Sequence, residues 1–496
     1  MAAKRSFRAS CWRRGIVLLL TLLAGESALP QGYAYDELKE QMDEHSLPLV
    51  NLIIDLNSLE HDDFVPGHVE ITDFRRRTDG EEVAAFHCLC RYRGGSAMSY
   101  QKKSLALKLT DEEGENLDAN LLGIREENSW ILDAMAIDRI RMRNLVCFNV
   151  WNAISHTPYP SNFNGRNGID GEFVELFVNG VYHGLYCLTD KVDRKLLGLK
   201  KAKVEKDGTV TPHGLLYKGI SWGSGCYLTT YTTADVNQTT WNAWELQYPD
   251  EYPDAYTWQP LMDLIDFCSW KTATSNFLAA YQEYFHVENL VDYMVFTLAM
   301  NVGDNAYKNT FLSVRDIQEE HRYLITPWDM DMSLGGHWNG LYDEEPADIN
   351  RYNRVAPFNR LYGQGLDGFR EKVKQRWIQL KDGLLNPDSI CQRLDDYGQR
   401  FLLSGAWERE YARWNGSPIA LKASVAEELD YVKDWYRRNW VELCRQTGCY
   451  DVVSNPTDQR PRAVSAFTLD GRKLKNRELL QYKGIAVVGN RKVIRK

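Results

Sequence analysis

Positive charge is scarce in this chain. Its 496 residues carry 59 Lys and Arg against 68 Asp and Glu, a formal net charge of -9. Non-specific nucleic-acid binding needs a basic face. No basic stripe with interleaved aromatics occurs, so nucleic acid is not an expected partner. Long apolar runs are scarce too. The run 15–24 is too short to span a bilayer, and no later stretch is long enough for a transmembrane helix. The ten cysteines include no C-x-x-C pair, and no matched second pair or histidine pair occurs beyond them, which argues against zinc. The phosphate loop G-x-x-x-x-G-K-[ST] is absent, and so is an A-P-E sequence.

The residues present in quantity are those of a globular protein. Apolar residues make up 44% and aromatics 12%, enough to bury a large core. The length allows one large domain with appendages or two to three domains. Lys4, Arg5, Arg8, Arg13 and Arg14 precede the apolar run 15–24, the pattern of a secretory leader. Cleavage near Ala28 or Ala34 would remove residues 1–34 and deliver the chain to the periplasm, the cell surface or the exterior. Cys11 would leave with the leader, so at least one of the nine remaining thiols is unpaired in a monomer. Cys444 and Cys449 are close enough to pair across a helix end. Cys88 and Cys90 share one strand face. Most are expected to be buried free thiols.

Taken in order, strands are expected at 47–56, 68–73 and 83–92. A glycine-rich turn at Gly94 and Gly95 leads to a further strand at 104–109. Leu105, Leu107 and Leu109 share one face of it, and Ala106 and Lys108 the other. That second face would suit adenine and phosphate contacts, or it simply carries a solvated lysine. Residues 128–154 read as mostly helical, with Ile140, Val146, Val150 and Ile154 on one side. At 171–188 the alternation of Val174, Leu176 and Val178, with Asn179-Gly180 after it, is the strongest hairpin signal in the chain. Gly219-Ile220-Ser221-Trp222-Gly223 matches the nucleophile elbow of serine hydrolases. That motif requires a helix after the serine, but the residues beyond Gly223 read as strand or loop. Residues 237–258 read as an irregular surface insertion rich in Trp and Tyr. Helices are expected at 258–270, 287–300, 369–384, 389–402 and 421–445.

Residues 301–335 carry the densest chemistry. They read as a helix end, a loop with Asp304, a hairpin, and a loop with Asp329 and Asp331. Asp304 and Asn309 have the Asp-to-Asn spacing of the protein-kinase catalytic loop, where the Asp takes a hydroxyl proton and the Asn binds a metal ion. The hairpin returns the chain to that loop, so Asp329 would complete a magnesium site of hard oxygen ligands with Asn309 and Asp331. Paired carboxylates such as Asp304 and Asp329 also occur in glycosidases, but no supporting motif is present.

The wording around these residues resembles the CotH kinase family, the spore-coat-protein-H-like atypical kinases. P-W-D-x-D-x-S-x-G at 327–335, D-x-x-x-x-N at 304–309, D-x-x-x-x-R-N at 138–144 and N-G-x-Y-x-G-L-Y-x-L-T-D-K-V-D at 179–193 carry the likeness, in family order. The resemblance implies an α+β, atypical protein-kinase-like fold of two lobes over 47–450, strand-rich at about 47–230 and helical at about 258–450. It implies ATP and Mg2+ or Mn2+ as cofactors, and a protein carrying Ser or Thr as substrate. Asp304 would be the catalytic base; Asn309, Asp329 and Asp331 would hold the metal. Lys108 would contact phosphate, with Lys103 as the competing choice. Asp190, where members often have Glu, and Lys218 would border the nucleotide. Asp138, Arg143 and Asn144 would order the site or bind phosphate, unless they form a plain surface ion pair; Glu175 would orient a lysine. A kinase-like surface or matrix-binding protein with little catalysis, and a nucleotidyl transferase on the same fold, are the alternatives. Past a linker at 451–462, residues 463–496 read as short strands. They resemble the β tails of proteins exported by type IX secretion, which would make the export machinery a partner.

Overall fold

The computed structural model describes residues 33–159, 165–234, 236, 238–249 and 258–449, with the backbone of short strands between 466 and 495. Two compact units divide the chain, 1–440 and 441–496. Most of the expected leader, the linker and the Asp470-Gly471 and Gly489-Asn490 turns lie outside the described residues.

The larger unit begins with a closed seven-stranded barrel. Leu49–Ile54, Val65–Thr72, Val83–Arg93, Ser104–Thr110, Ser129–Asp133, Val181–Thr189 and Gly171–Val178 succeed one another round it. Neighbours are antiparallel except at the seam, where Leu49–Ile54 runs parallel to Gly171–Val178. Alternation puts Val50, Leu52, Val69, Ile71, Cys88, Cys90, Leu105, Leu107, Leu109, Trp130 and Leu132 inside. The Asn179-Gly180 turn has φ of 52° and 79°, the positive values that a tight hairpin demands.

Two expectations need correcting here. The stretch 128–154 is a barrel strand, Ser129–Asp133, before it is a helix, Arg143–Ile154. The alternating Trp130 and Leu132 satisfy the barrel interior, and Asp138 delays the helix by accepting from Met142 N at 2.8 Å and Arg143 N at 2.7 Å. The stretch 237–258 is not irregular at its centre. Thr240–Trp241 and Trp244–Tyr248 form a hairpin over the positive-φ pair Asn242 and Ala243, and Trp241, Trp244, Leu246 and Tyr248 are buried.

That hairpin is the edge of a second sheet, which holds the 301–335 segment. Its order is Thr240–Trp241, Trp244–Tyr248, Leu215–Gly219, Thr310–Val314, Leu324–Pro327, all antiparallel. Residues 215–219, expected in the strand-rich lobe, thus pair with the segment beyond Asp304. The buried helix Val287–Ala299 lies beside this sheet; its Asn289 side chain accepts from Ile325 N at 2.8 Å and donates to Ile325 O at 3.0 Å. The arrangement is α+β, a barrel and an open sheet with helices. Further helices span Phe369–Lys381, Pro387–Leu403, Ala406–Trp414 and Val425–Gln446. Ala406–Trp414, which no sequence signal picked out, docks on the barrel through Trp414 Nε1 donating to His183 O at 2.6 Å.

In the smaller unit, Ala466–Thr468, Lys473–Leu474, Gly484–Val488 and Arg491–Arg495 form one antiparallel sheet.

Candidate active site

The helix Val287–Ala299 ends about one turn before Asp304, which opens a short 3-10 turn to Ala306. Asn309 comes next at φ 52°, and Asp329 sits at φ 54°. Among residues with a side chain, Asn and Asp adopt this left-handed backbone most readily. The two loops are stitched together by Asn305, whose Nδ2 donates to Asn309 O at 2.6 Å and Trp328 O at 2.9 Å. Trp328 N also donates to Asn309 O at 2.9 Å. The hairpin therefore returns Asp329 to Asn309. Asn309 Nδ2 lies 3.4 Å from Asp304 Oδ2 and 3.2 Å from Asp329 Oδ2. The structure brings Asp304, Asn309 and Asp329 together, with Asp331 near enough to Asp329 for the two to repel.

Asp304 is held from two sides. Trp222 Nε1 donates to its Oδ1 at 3.0 Å, and Lys308 Nζ pairs with Oδ2 at 2.9 Å. Trp222 is 51% exposed and packs on Tyr307, ring centroids 4.3 Å apart, so an aromatic wall faces solvent beside this carboxylate. Trp222 belongs to the elbow-like motif; residues 220–229 fold as turns, and the indole rather than Ser221 meets the site.

Asp329 and Asp331 keep some solvent access yet lie deep among protein atoms. Burial raises the pKa of both. Asp133 adds to the rise for Asp329, while Arg93 and Lys218 oppose it. Asp331 is pushed well above the usual range by burial, then Asp329, Asp133, Asp138 and Asp304. Burial lowers Lys218, and Glu245 opposes that. Asp133 ends the barrel strand Ser129–Asp133. Its Oδ2 accepts from Asn144 Nδ2 at 2.8 Å, and Asn144 Oδ1 accepts from Met330 N at 2.6 Å, between the two site aspartates. Arg93, at the end of its barrel strand, lies over Trp328 with its guanidinium 5.6 Å from the ring centre. Sequence reasoning missed Asp133, Arg93, Trp222 and Lys308. Only Lys308, four residues beyond Asp304, offered a local spacing signal.

The D-x-x-x-x-R-N signature is buried and orders the site. Arg143 pairs with Asp138, and its Nε donates to Ser333 O at 2.8 Å, in the loop that carries Asp331. Four other candidates have other partners. Lys108 sits over the Phe64 ring at 4.6 Å. It is four residues along its strand from Ser104, whose hydroxyl reaches Asp133, a separation of about 13 Å. Lys103 Nζ donates to the carbonyls of Met98 and Tyr100, the latter at 2.7 Å, and ties down the glycine-rich turn. Asp190 joins a separate ion cluster with Arg125 at 2.8 Å and Arg166 at 2.5 Å; burial pushes its carboxyl up to about 6 against those arginines. Among the described residues Glu175 holds no lysine; Arg409 grips it at 2.7 and 2.6 Å. Of the four proposed nucleotide contacts, Lys218 is the one whose charge acts on Asp329.

A divalent cation fits this chemistry. Asp329, Asp331 and the Asn309 amide are hard oxygen donors, and turning that amide over exchanges its nitrogen for oxygen. The mutual repulsion of Asp329, Asp331 and Asp133 is what a cation would relieve. Among the described residues, no three His, Cys, Asp or Glu side chains form a metal site by themselves, so such an ion would also need water or phosphate oxygens, as magnesium usually does.

A family model described as CotH kinase protein matches residues 90–442. No curated protein matches the chain.

Proposed function

Since the chain belongs to the CotH kinase protein family, we propose that it is a metal-dependent kinase that transfers the γ-phosphoryl group of ATP to a Ser or Thr hydroxyl of a protein. The observation that carries this reading is the convergence of Asp304, Asn309 and Asp329, bridged by one amide. In this reading the substrate hydroxyl oxygen bonds to the γ-phosphorus, the bond to the β-phosphate oxygen breaks, and ADP leaves. The hydroxyl proton goes to Asp304, which Trp222 and Lys308 hold in place. Asn309, Asp329 and Asp331 would hold Mg2+ or Mn2+, whose charge would offset that of the phosphates. Lys218 and Arg93, the cations that act on Asp329, face the phosphates in this reading. Catalysis by such a set is positioning plus electrostatics. The basic residues and the apolar run behind them support export; in this reading the reaction runs outside the cytoplasm.

The test uses purified protein, Mg2+ or Mn2+, and ATP labelled at the γ or the α position. Transfer of γ label supports the kinase. Transfer of α label alone points to nucleotidyl transfer. Failure to bind nucleotide at all leaves a kinase-like binding protein. Asp304→Asn is expected to keep nucleotide affinity while the transfer rate falls by about 100-fold or more.

A further inference from the structure

On the outer wall of the barrel, away from the catalytic cluster, two histidines stand directly opposite each other on adjacent antiparallel strands. His68 in Val65–Thr72 is registered against His87 in Val83–Arg93. Their ring centroids are 4.4 Å apart with the planes tilted by 55°. Both are exposed, and among the described residues neither ring nitrogen has a hydrogen-bond or ion-pair partner. They line a hollow of about 570 Å³ whose wall includes the carboxylates Asp55, Asp111 and Glu112 and no Lys or Arg. Asp55 and Asp111 are engaged by local backbone N–H groups, Asn57 N at 3.0 Å and Glu115 N at 2.8 Å. Glu112 is exposed and makes no hydrogen bond or ion pair among the described residues.

We propose that His68 and His87 form a binding site for a borderline-soft divalent transition ion, Zn2+ or Cu2+, on the barrel wall. Imidazole is a favoured side-chain ligand for these ions, bound at about 2.0–2.1 Å in the zinc case. Cross-strand neighbours on a barrel already stand at a fixed separation, so little ordering entropy opposes chelation by the pair. The hollow adds three acidic side chains and no competing cation, so its field attracts the ion. Water completes the coordination, with Glu112 the unengaged carboxylate on the same wall. Cys88 lines the hollow beside His87, but alternation along the strand turns its side chain into the barrel core, away from the imidazole pair. Bound at two adjacent strands, the ion would clamp the wall opposite Ile53, the residue registered with His68 on the neighbouring strand. This differs from the aspartate cluster, whose oxygen donors suit Mg2+.

The experiment titrates the full chain, carrying Asp329→Asn to silence the aspartate cluster, with ZnCl2 or CuCl2 alone at pH 7.5. The expected result is one ion per chain and, for Cu2+, an electron paramagnetic resonance spectrum with splitting from two imidazole nitrogens. His68→Gln and His87→Gln should each weaken binding by more than about tenfold. Mg2+ should not compete. Equal affinity in the double glutamine variant, or a copper spectrum with no nitrogen splitting, overturns the proposal. Both side chains are exposed, so the variants are expected to fold; an unchanged far-ultraviolet circular dichroism spectrum checks this.

Discussion

Replacing Asp138 with Asn tests how the site is held together. Asp138 is 2% exposed, as is Arg143. One carboxylate oxygen accepts from Ile140 N at 3.0 Å, and the other from Met142 N and Arg143 N. An Asn side chain retains one carbonyl oxygen, so part of this helix cap survives. The buried guanidinium of Arg143 loses its carboxylate partner while still facing the carbonyls of Ser333 and Leu334. Breaking a buried ion pair from one side costs about 3–5 kcal/mol. Asp138→Asn and Arg143→Met are each expected to fall in that range, seen as a lower urea midpoint in tryptophan fluorescence. The double variant should be more stable than the sum of the two losses by at least about 2 kcal/mol, because no lone buried charge remains. Its Mg2+ affinity should stay low, since nothing then ties the Ser333 and Leu334 carbonyls of the Asp331 loop to the 138–144 segment. A single-variant loss below about 1 kcal/mol, or losses that add within about 0.5 kcal/mol, would refute the reasoning.

Four further outcomes are expected. Because burial and mutual repulsion raise the carboxyls of Asp329 and Asp331, their unfolded counterparts bind fewer protons once pH exceeds about 4. The cation-free protein should therefore lose stability as pH rises from there, and thermal unfolding in EDTA against Mg2+ measures the gap. Asp133→Asn removes one repelling charge, so the pH midpoint of Mg2+ binding should move down. Trp222→Phe keeps an aromatic ring and drops the bond to Asp304; phosphoryl transfer should slow by about tenfold with unchanged nucleotide affinity. Glu410 is fully enclosed and accepts from Lys102 and Arg141, both at 2.7 Å; burial depresses Lys102 to about 7 against the pull of Glu410. Glu410→Gln should cost about 3–5 kcal/mol below neutrality, and the deficit should shrink as pH rises to about 7 and level off above it, because Lys102 sheds its proton earlier in the variant than in the wild type.

Local patterns were readable where one periodicity met one environment. The Asn179-Gly180 hairpin, the leucine face of 104–109 and the return of Asp329 to Asn309 all stem from alternation and turn chemistry. The barrel was not readable, because its closing seam pairs residues 49–52 with 175–178, in parallel, and no neighbouring residue announces that. Trp130 and Leu132 read equally well as a helix or a strand face until the barrel interior claims them. Lys108 lies on the expected strand and the expected face, but its distance along that strand from Ser104 and the cluster could not be read locally. Asp133 and Arg93 reach the site only because strand ends from the barrel meet the Trp328 loop, a tertiary fact.

Asp133 lies at the rim of the barrel, and Asp329 and Asp331 at the end of the open sheet, nearly two hundred residues later in the chain. A cation seated among them would act as a rivet through two plates. Loading the pocket should then protect the seam itself, so that a protease given the emptied protein cuts first where the plates meet, and given the filled one is driven to the outer loops.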